Sequence, residues 1–253
     1  MGGKRERKKR EKKRGAGQGR STATTDRRAA RKILDATTER VQLVAGTILR
    51  REDLDDTATD IADETRSLAL KVIEQSPLRS QHACKAGCAF CCYTAVTVSP
   101  PEVFAIVDHL RRHCSTERLL EIQRKLDENA EKAASMSRSE YIAALVPCAL
   151  LTDDNQCSAH AVRPLACAGF LSTSRSKCEA EFNRIPNRAP IPTDDFAMAA
   201  GVAASKGLLA ACQAAEVDGQ FYELHHVLRL VLDTPNAAAR WARKEDIFKG
   251  CPT

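Results

Sequence analysis

Aromatic residues are scarce in this chain, which has one Trp, three Tyr and seven Phe among 253 residues, a share of 4%. Apolar residues still make up 43%, which is ordinary for a folded protein, and alanine and leucine supply most of them. Strands favour aromatic and β-branched residues, whereas Ala and Leu are strong helix formers. The composition therefore predicts a mainly α fold rather than a β-sandwich.

Several sequence motifs of common enzymes are also missing. The chain contains no P-loop, G-x-G-x-x-G, H-E-x-x-H or G-x-S-x-G element, and no nucleophile and base stand at a telling spacing. These absences argue against the commonest nucleotide-binding, zinc-protease and serine-hydrolase classes. The sequence assigns no catalytic residue, and whether the protein is an enzyme stays open.

Long apolar runs are absent too. The nearest approach to a membrane span, residues 196–217, is Ala-rich, weakly hydrophobic and interrupted by Lys206. The basic N-terminus is not followed by the apolar stretch that a signal peptide needs. We therefore expect no membrane span and a cytoplasmic location, where thiols stay reduced.

The positive charge is concentrated at the N-terminus. Residues 1–20 hold ten Lys and Arg against two Glu, which makes this segment +8, while the remaining residues sum to −2. A segment with so few apolar residues cannot offset its ordering entropy, so residues 1–24 are predicted to be a disordered basic tail. Two interpretations stay open, a contact with a polyanion such as nucleic acid or anionic lipid and a solvated extension.

Apolar periodicity divides the rest of the chain into three parts. Residues 25–80 read as an N-terminal helical hairpin, 81–182 as a cysteine-rich metal-binding region, and 183–253 as C-terminal helices that pack on it. The region 81–182 has the character of a small irregular insert, with a short β-hairpin about the polar turn at residues 153–156. The predicted fold is thus a helical domain that carries this insert.

Eleven cysteines are present, and eight of them fall into two groups. These eight are Cys84, Cys88, Cys91 and Cys92 in the stretch CKAGCAFCC, followed by Cys148, Cys157, Cys167 and Cys178. An odd total and two adjacent cysteines disfavour a closed set of disulfides, because a vicinal disulfide forces a strained ring. A metal site explains the spacing better.

Two or three intervening residues let the backbone turn and direct two thiolates at one point. Zinc ions and iron–sulfur clusters both take four such ligands, so we expect either cofactor, on one or two centres. Gly87 can supply the unusual φ of the turn before Cys88. His160 is a ligand, a hydrogen-bond donor or a surface residue, and Arg163 is placed to offset thiolate charge or simply to fix a turn.

The cysteine motifs resemble those of a known family. The pattern C-x3-C-x2-C-C, followed by P-C-x8-C-S-x-H-x2-R-P-x2-C, is similar to the YkgJ-type cysteine-cluster family, described as a zinc- or iron-chelating domain. The likeness covers roughly residues 80–180. It departs from the family at His160, where Tyr is frequent, and at Ala168, where Arg is common.

The resemblance implies metal binding more firmly than it implies turnover. Flagellin lysine methylases are described with a similar cluster, so an iron–sulfur enzyme of redox or methyl-transfer type is the alternative to a cytosolic metal-binding protein. The spacing of Cys84, Cys88 and Cys91 also matches radical S-adenosylmethionine enzymes. The chain lacks their alternation of strands and helices, and Cys92 could occupy the fourth position.

Overall fold

Helices account for most of the chain. A computed structural model describes residues 3–51 and 56–252, without the side chains of residues 3–25 and 138. Within those residues the α-helices, in chain order, are α1 (Gly3–Ile48), α2 (Thr57–Ile73), α3 (Pro100–His113), α4 (Thr116–Ser135), α5 (Arg138–Ala143), α6 (Leu165–Gly169), α7 (Arg175–Phe182), α8 (Asp195–Ala215), α9 (Leu224–Asp233) and α10 (Ala237–Ala242).

The one described sheet joins distant parts of the sequence. Strand β1 (Thr97–Val98) pairs antiparallel with β2 (Tyr222–Glu223), with Thr97 opposite Glu223. An isolated antiparallel bridge between Leu151 and Cys157 closes the polar turn where the sequence predicts a hairpin. The prediction of a mainly α fold with a small antiparallel β element is confirmed.

Local sequence explains how α3, the first α-helix after the early cysteines, begins. Ser99 is the N-cap of α3, with Pro100 in the first helical position and Glu102 completing a capping box. The Ser99 backbone N–H donates to Glu102 Oε2 at 2.9 Å. Glu102 Oε1 also accepts from the backbone N–H of Leu165 at 2.8 Å, so the same buried carboxylate holds the start of α6 against α3.

The helices pack in two groups that α2 and α3 join. Helix α8 packs against α1, α2 and α6, while α9 packs against α3 and α4. Their contact faces form a core that includes the fully buried Val41, Ile61, Ile106 and Leu208, and Trp241 of α10 joins it. The early cysteines lie in the connection from α2 to α3, and the late ones lie between α5 and α8, so both groups are held by the ends of core helices.

The predicted segment boundaries are only partly visible in the structure. Helices α1 and α2 occupy the place of the predicted hairpin, 25–80. The backbone of α1 extends back to Gly3, residues 1–2 lie outside the described part, and the disorder predicted for 1–24 stays a prediction. The division at 81–182 and 183–253 stays a prediction as well.

Helix α8 is the described helix that is long and apolar enough to cross a membrane by length and composition. Half of its most apolar window is buried inside the protein, as in a core helix. Its neighbours α1, α2 and α6 supply that burial. We therefore find no clear membrane span in the described part of the chain.

The crossing of α1 and α8 depends on a glycine. A Cβ atom built on Gly207 would lie 2.3 Å from the carbonyl oxygen of Thr38 and 2.9 Å from Cβ of Val41. The Thr38 hydroxyl also donates to the carbonyl of Ala203 at 3.0 Å, which ties the two backbones together at the same level. Because the first clash is with backbone, no side-chain rotation can relieve it.

Replacing Gly207 with Ala should therefore destabilise the protein, although alanine is the better helix former. We expect a loss of about 2 kcal/mol in the free energy of unfolding, measured by urea denaturation. The control is Gly46→Ala in α1, where the nearest atom to the new Cβ is the Arg50 Nη1 atom at 3.6 Å. That change should be neutral or stabilise by up to about 1 kcal/mol, and equal stability of the two variants would contradict the close crossing.

Candidate metal centre

The early cysteines lie on a loop that is fastened to the late segment at its start. The Ala83 N–H donates to the carbonyl of Ser172 at 2.8 Å, and the Ser172 N–H donates to the Cys84 sulfur at 3.4 Å. Gly87 has a φ of +77°, the left-handed conformation expected for the turn before Cys88. The chain between Cys84 and Cys88 is thus a tight turn.

The second half of the early group lies on a 3₁₀ turn, Phe90–Tyr93. The Cys92 N–H donates to the carbonyl of Ala89 at 2.8 Å within this turn. The Cys92 carbonyl in turn accepts from the N–H of Cys148 at 2.8 Å. This backbone hydrogen bond places the first late cysteine directly beside the last early one.

The other late cysteines are positioned by short elements. Cys157 lies on the bridge to Leu151, and Cys167 lies in the middle of α6. A 3₁₀ turn, His160–Val162, and Arg163 connect these two positions. Cys178 lies farther along the chain on α7.

Five thiols from the two groups are electrostatic neighbours, and we call them the convergent thiols. They are Cys91, Cys92, Cys148, Cys157 and Cys167. The hydrogen bond with Cys91 and burial raise the pKa of Cys92, and the charges of Cys91, Cys148 and Cys157 raise it further. Burial raises the pKa of Cys167, and the charges of Cys148, Cys91 and Cys157 add to that effect. Each of these thiols therefore lies within charge–charge range of several others.

Cys84 and Cys88 lie at one edge of the convergent thiols. Burial raises the pKa of Cys88, and the charges of Cys84 and Cys91 raise it further. Cys91 is therefore the convergent thiol whose charge acts on Cys88, and Cys84 acts on Cys88 as well. Cys178 is instead a lining residue of a cleft that it shares with Cys91.

The adjacent cysteines have opposite protonation tendencies. A hydrogen bond from Cys92 lowers the pKa of Cys91 to about 7, although partial desolvation of this otherwise exposed residue opposes the shift, and the positive charge of Arg163 adds to the lowering. The same hydrogen bond, followed by burial, raises the pKa of Cys92. Burial also raises the pKa of Cys157, to about 11. Without a cation, only Cys91 of these three is readily ionised at neutral pH.

Within residues 3–51 and 56–252, no three His, Cys, Asp or Glu residues are placed so that they could hold a metal ion. The backbone brings the convergent thiols together, but the sulfur atoms are not closed around a common point. The donor set nevertheless suits zinc or an iron–sulfur cluster, since five thiols are grouped and the guanidinium of Arg163 can offset charge on three of them, Cys91, Cys157 and Cys167. The assignment of all eight cysteines as ligands stays a prediction.

Sequence reasoning missed a buried histidine next to this group. His225 is 3% exposed, and the Ala149 N–H donates to its Nε2 atom at 3.2 Å. Its Nδ1 atom lies 3.1 Å from both the Tyr141 hydroxyl and Glu223 Oε1, and the Cys148 thiol lies within hydrogen-bonding reach of the ring. In the neutral ring the proton is therefore on Nδ1, between Tyr141 and Glu223. No spacing signal could have found this contact, because it joins residues 77 positions apart.

His160, which lies between Cys157 and Cys167 in the sequence, is not buried as His225 is. His160 is exposed, and its backbone N–H donates to the carbonyl of Cys157 at 3.0 Å. Its pKa is lowered by burial of part of the ring and by the charge of Arg163. This position favours the surface interpretation over the ligand interpretation.

A second histidine near the early cysteines is held by a carboxylate. His82 Nε2 lies 2.7 Å from Asp194 Oδ2, and the Ser76 hydroxyl donates to the same oxygen. Asp194 Oδ1 accepts from the Ala197 N–H at 3.0 Å, as the N-cap of α8. We call Ser76, His82 and Asp194 the Asp194 anchor. It fixes the start of the cysteine loop to α8.

Comparisons of the chain with protein-family models, with curated proteins and with solved structures find no match. The likeness to the YkgJ-type family accordingly stays a prediction that rests on the cysteine motifs and on the R-P-x2-C element. What the geometry adds is independent of that likeness: two cysteine groups, far apart in sequence, lie side by side.

Proposed function

We propose that the protein binds a metal centre, either a zinc ion or an iron–sulfur cluster, through the convergent thiols. The observation that supports this most directly is the 2.8 Å hydrogen bond from the Cys148 N–H to the Cys92 carbonyl. It joins Cys92 of the early group to Cys148 of the late group, two residues that lie 56 positions apart in the sequence. Clustered reduced thiols of this density are typical of metal sites rather than of packing.

The metal would also stabilise the fold. The early and late segments consist of turns and short helices, with few regular hydrogen-bond ladders to connect them. A cation shared by their thiolates would link two loops that otherwise meet through isolated hydrogen bonds. It would also favour the ionised form of the partly buried Cys92, Cys157 and Cys167, which is disfavoured by the hydrogen bond with Cys91 at Cys92 and by burial and like charge at all three.

A second candidate is an iron–sulfur enzyme of redox or methyl-transfer type. One observation favours it: Cys91 is exposed and borders an open cleft, whereas a purely structural centre needs no such access. The chain's own contribution would be to hold the cluster beside the cleft. The described residues assign no acid, base or substrate-binding role.

Metal analysis of the full chain tests the proposal. Protein purified without oxygen should contain about one or more zinc or iron atoms per chain, as measured by elemental mass spectrometry. A colourless zinc protein would favour the metal-binding function, and a brown protein with acid-labile sulfide would favour the iron–sulfur alternative. Protein that carries neither metal, and takes up neither when reconstituted anaerobically, would refute both.

Two further expectations stay predictions. They are a contact between the basic segment 1–24 and a polyanion, and a cytoplasmic location. The metal proposal depends on neither of them.

A further inference from the structure

An open cleft of about 240 Å³ lies beside the convergent thiols. Its lining is mostly apolar and comes from the early loop, from α5 and the turn after it, and from α7 and its surroundings. The lining residues that matter here are Phe90, Cys91, Tyr93, Thr94, Ile142, Phe182 and Arg184. An engineered apolar cavity of about 150 Å³ holds benzene, so this cleft has room for two fused rings.

Aromatic side chains form one wall of the cleft. The ring of Phe182 packs edge-on against Tyr93, with centroids 4.8 Å apart, and lies 5.7 Å from the ring of Phe90. The guanidinium of Arg175 lies 5.7 Å from the Phe90 centroid. In a chain with only 4% aromatic residues, three of them meet at this wall. Such a wall favours a flat ring, which can stack on or pack edge-on to its neighbours.

The charged groups at the rim carry a net positive charge. Glu181 accepts two hydrogen bonds from Arg188, at 2.5 and 2.7 Å, and this pairing neutralises the carboxylate. Arg184 lines the cleft, and its Nη2 atom donates to the carbonyls of Ala143 at 2.6 Å and Ile142 at 3.3 Å. Those carbonyls fix the guanidinium without neutralising it. The three guanidiniums of Arg175, Arg184 and Arg188 outnumber the Glu181 carboxylate and the Cys91 thiol, so the charge stays positive even when Cys91 is ionised.

We propose that the cleft binds a small planar aromatic carboxylate, with the ring against Phe90, Tyr93 and Phe182 and the carboxylate at Arg184. Arginine's planar fork matches a carboxylate geometrically, and the apolar wall excludes water from the ring. The site goes beyond the proposed metal function and does not require it, because none of the contacts that support it involves a metal. Its position next to Cys91 would place the ligand beside the metal centre when one is bound.

Calorimetric titration of the full chain with 2-naphthoate tests this proposal. We expect one site per chain with a dissociation constant below about 1 mM. The cation 2-naphthylmethylamine should bind at least about 10-fold more weakly, because it faces the positive rim. Absence of binding below 1 mM, or tighter binding of the amine, would overturn the proposal. Because Cys91 lines the cleft, each probe is titrated into protein of measured metal content and again after chelator treatment, so failure of the metal function and failure of this site give different results.

Two variants locate the probe. Thr94 is an exposed residue that lines the cleft, so Thr94→Phe should fill the cleft without disturbing the core and weaken 2-naphthoate at least about 10-fold. Arg184→Gln should weaken 2-naphthoate at least about 5-fold but leave the neutral 2-naphthylmethanol unchanged. The control is Arg243→Gln at an exposed arginine outside the cleft, which should alter neither. Unchanged 2-naphthoate binding to folded Thr94→Phe protein would place the probe elsewhere and refute the site.

Discussion

Protein with Cys148 replaced by Ser should be purified almost free of the metal that the wild-type chain carries. Cys148 is the late cysteine hydrogen-bonded to the early segment, and its thiol influences the pKa of Cys92, Cys157 and Cys167. A serine hydroxyl stays protonated at neutral pH and is a poor ligand for zinc or iron. We expect the metal affinity to fall by at least about 100-fold, since even changes to the groups around a ligand cost 10- to 100-fold.

The matched control is Cys114→Ser. Cys114 is also partly buried, but it ends α3 and packs against the hydrophobic core instead of joining the convergent thiols. Both variants are purified without oxygen, and metal and protein are quantified on the same samples. Cys114→Ser should keep the wild-type metal content. If Cys148→Ser also keeps it, Cys148 is not a ligand and the joining of the two cysteine groups at a metal would be wrong.

The same substitution should lower the melting temperature of the purified protein, because the variant lacks the metal that stabilises the wild type. A ligand present at 100 times its dissociation constant stabilises a folded protein by about 2.7 kcal/mol, and loss of the metal removes that term. A chelator should therefore lower the melting temperature of wild-type protein and have little effect on Cys148→Ser. This difference separates loss of a ligand from a general defect in folding.

Much of the fold could be predicted because its signals are local. The capping box at Ser99 and Glu102 lies within four residues, and it marks the start of α3 where the structure has it. The turn at Gly87 is equally local. Alanine-rich periodicity likewise indicates helices without reference to their partners. Such features need no knowledge of tertiary structure.

The features that were missed depend on contacts between distant residues. The partner of β1 is Tyr222–Glu223, and a two-residue strand has no periodic pattern to reveal it. His225 reaches Cys148 only because α9 packs beside the late loop, and in sequence it looks like an ordinary helix residue. The close crossing at Gly207 is similarly invisible, because an Ala-rich helix tolerates glycine in many settings.

The candidate site could be predicted in part, because it combines local spacing with contacts between distant residues. Spacing within CKAGCAFCC predicts that its thiols act together, but it cannot say which late cysteines join them. The structure brings Cys148, Cys157 and Cys167 to Cys91 and Cys92, and it places Cys178 at the cleft instead. Cluster membership depends on how α6 and α7 are oriented, and no spacing rule encodes that orientation.

Removal of the Asp194 carboxylate should destabilise the protein more than Gly207→Ala does. Asp194 is 1% exposed and serves three partners: the hydroxyl of Ser76, the ring of His82 and the N–H of Ala197. Asp194→Ala would leave these buried groups without their acceptor and would remove the N-cap of α8. Loss of a cap costs about 1 kcal/mol and each unsatisfied buried group about 1 to 3 kcal/mol, so we expect a total near 3 kcal/mol.

Asp194 should also make stability depend on pH in the acid range. Burial alone would raise its pKa, but the hydrogen bonds from Ser76, Ala197 and His82 outweigh burial and lower the pKa below its ordinary value of 3.8. A carboxyl whose pKa is lower in the folded state stabilises the protein fully above its unfolded pKa. That contribution is lost as the pH falls through the folded pKa. The isosteric Asp194→Asn variant should therefore lose most of its stability deficit, relative to wild type, as the pH falls from 7 to below 3.8.

Urea denaturation across that pH range measures the effect, with Asp195→Asn as the neighbouring control. Asp195 is exposed in the first turn of the same helix, so it shares the helix dipole but none of the buried partners. Its substitution should cost no more than about 0.5 kcal/mol at neutral pH. A deficit of similar size in both variants would mean that Asp194 acts only through the helix dipole. A larger deficit confined to Asp194→Asn would show that Asp194 acts through its own partners Ser76, His82 and Ala197, which tie the start of the cysteine loop to α8.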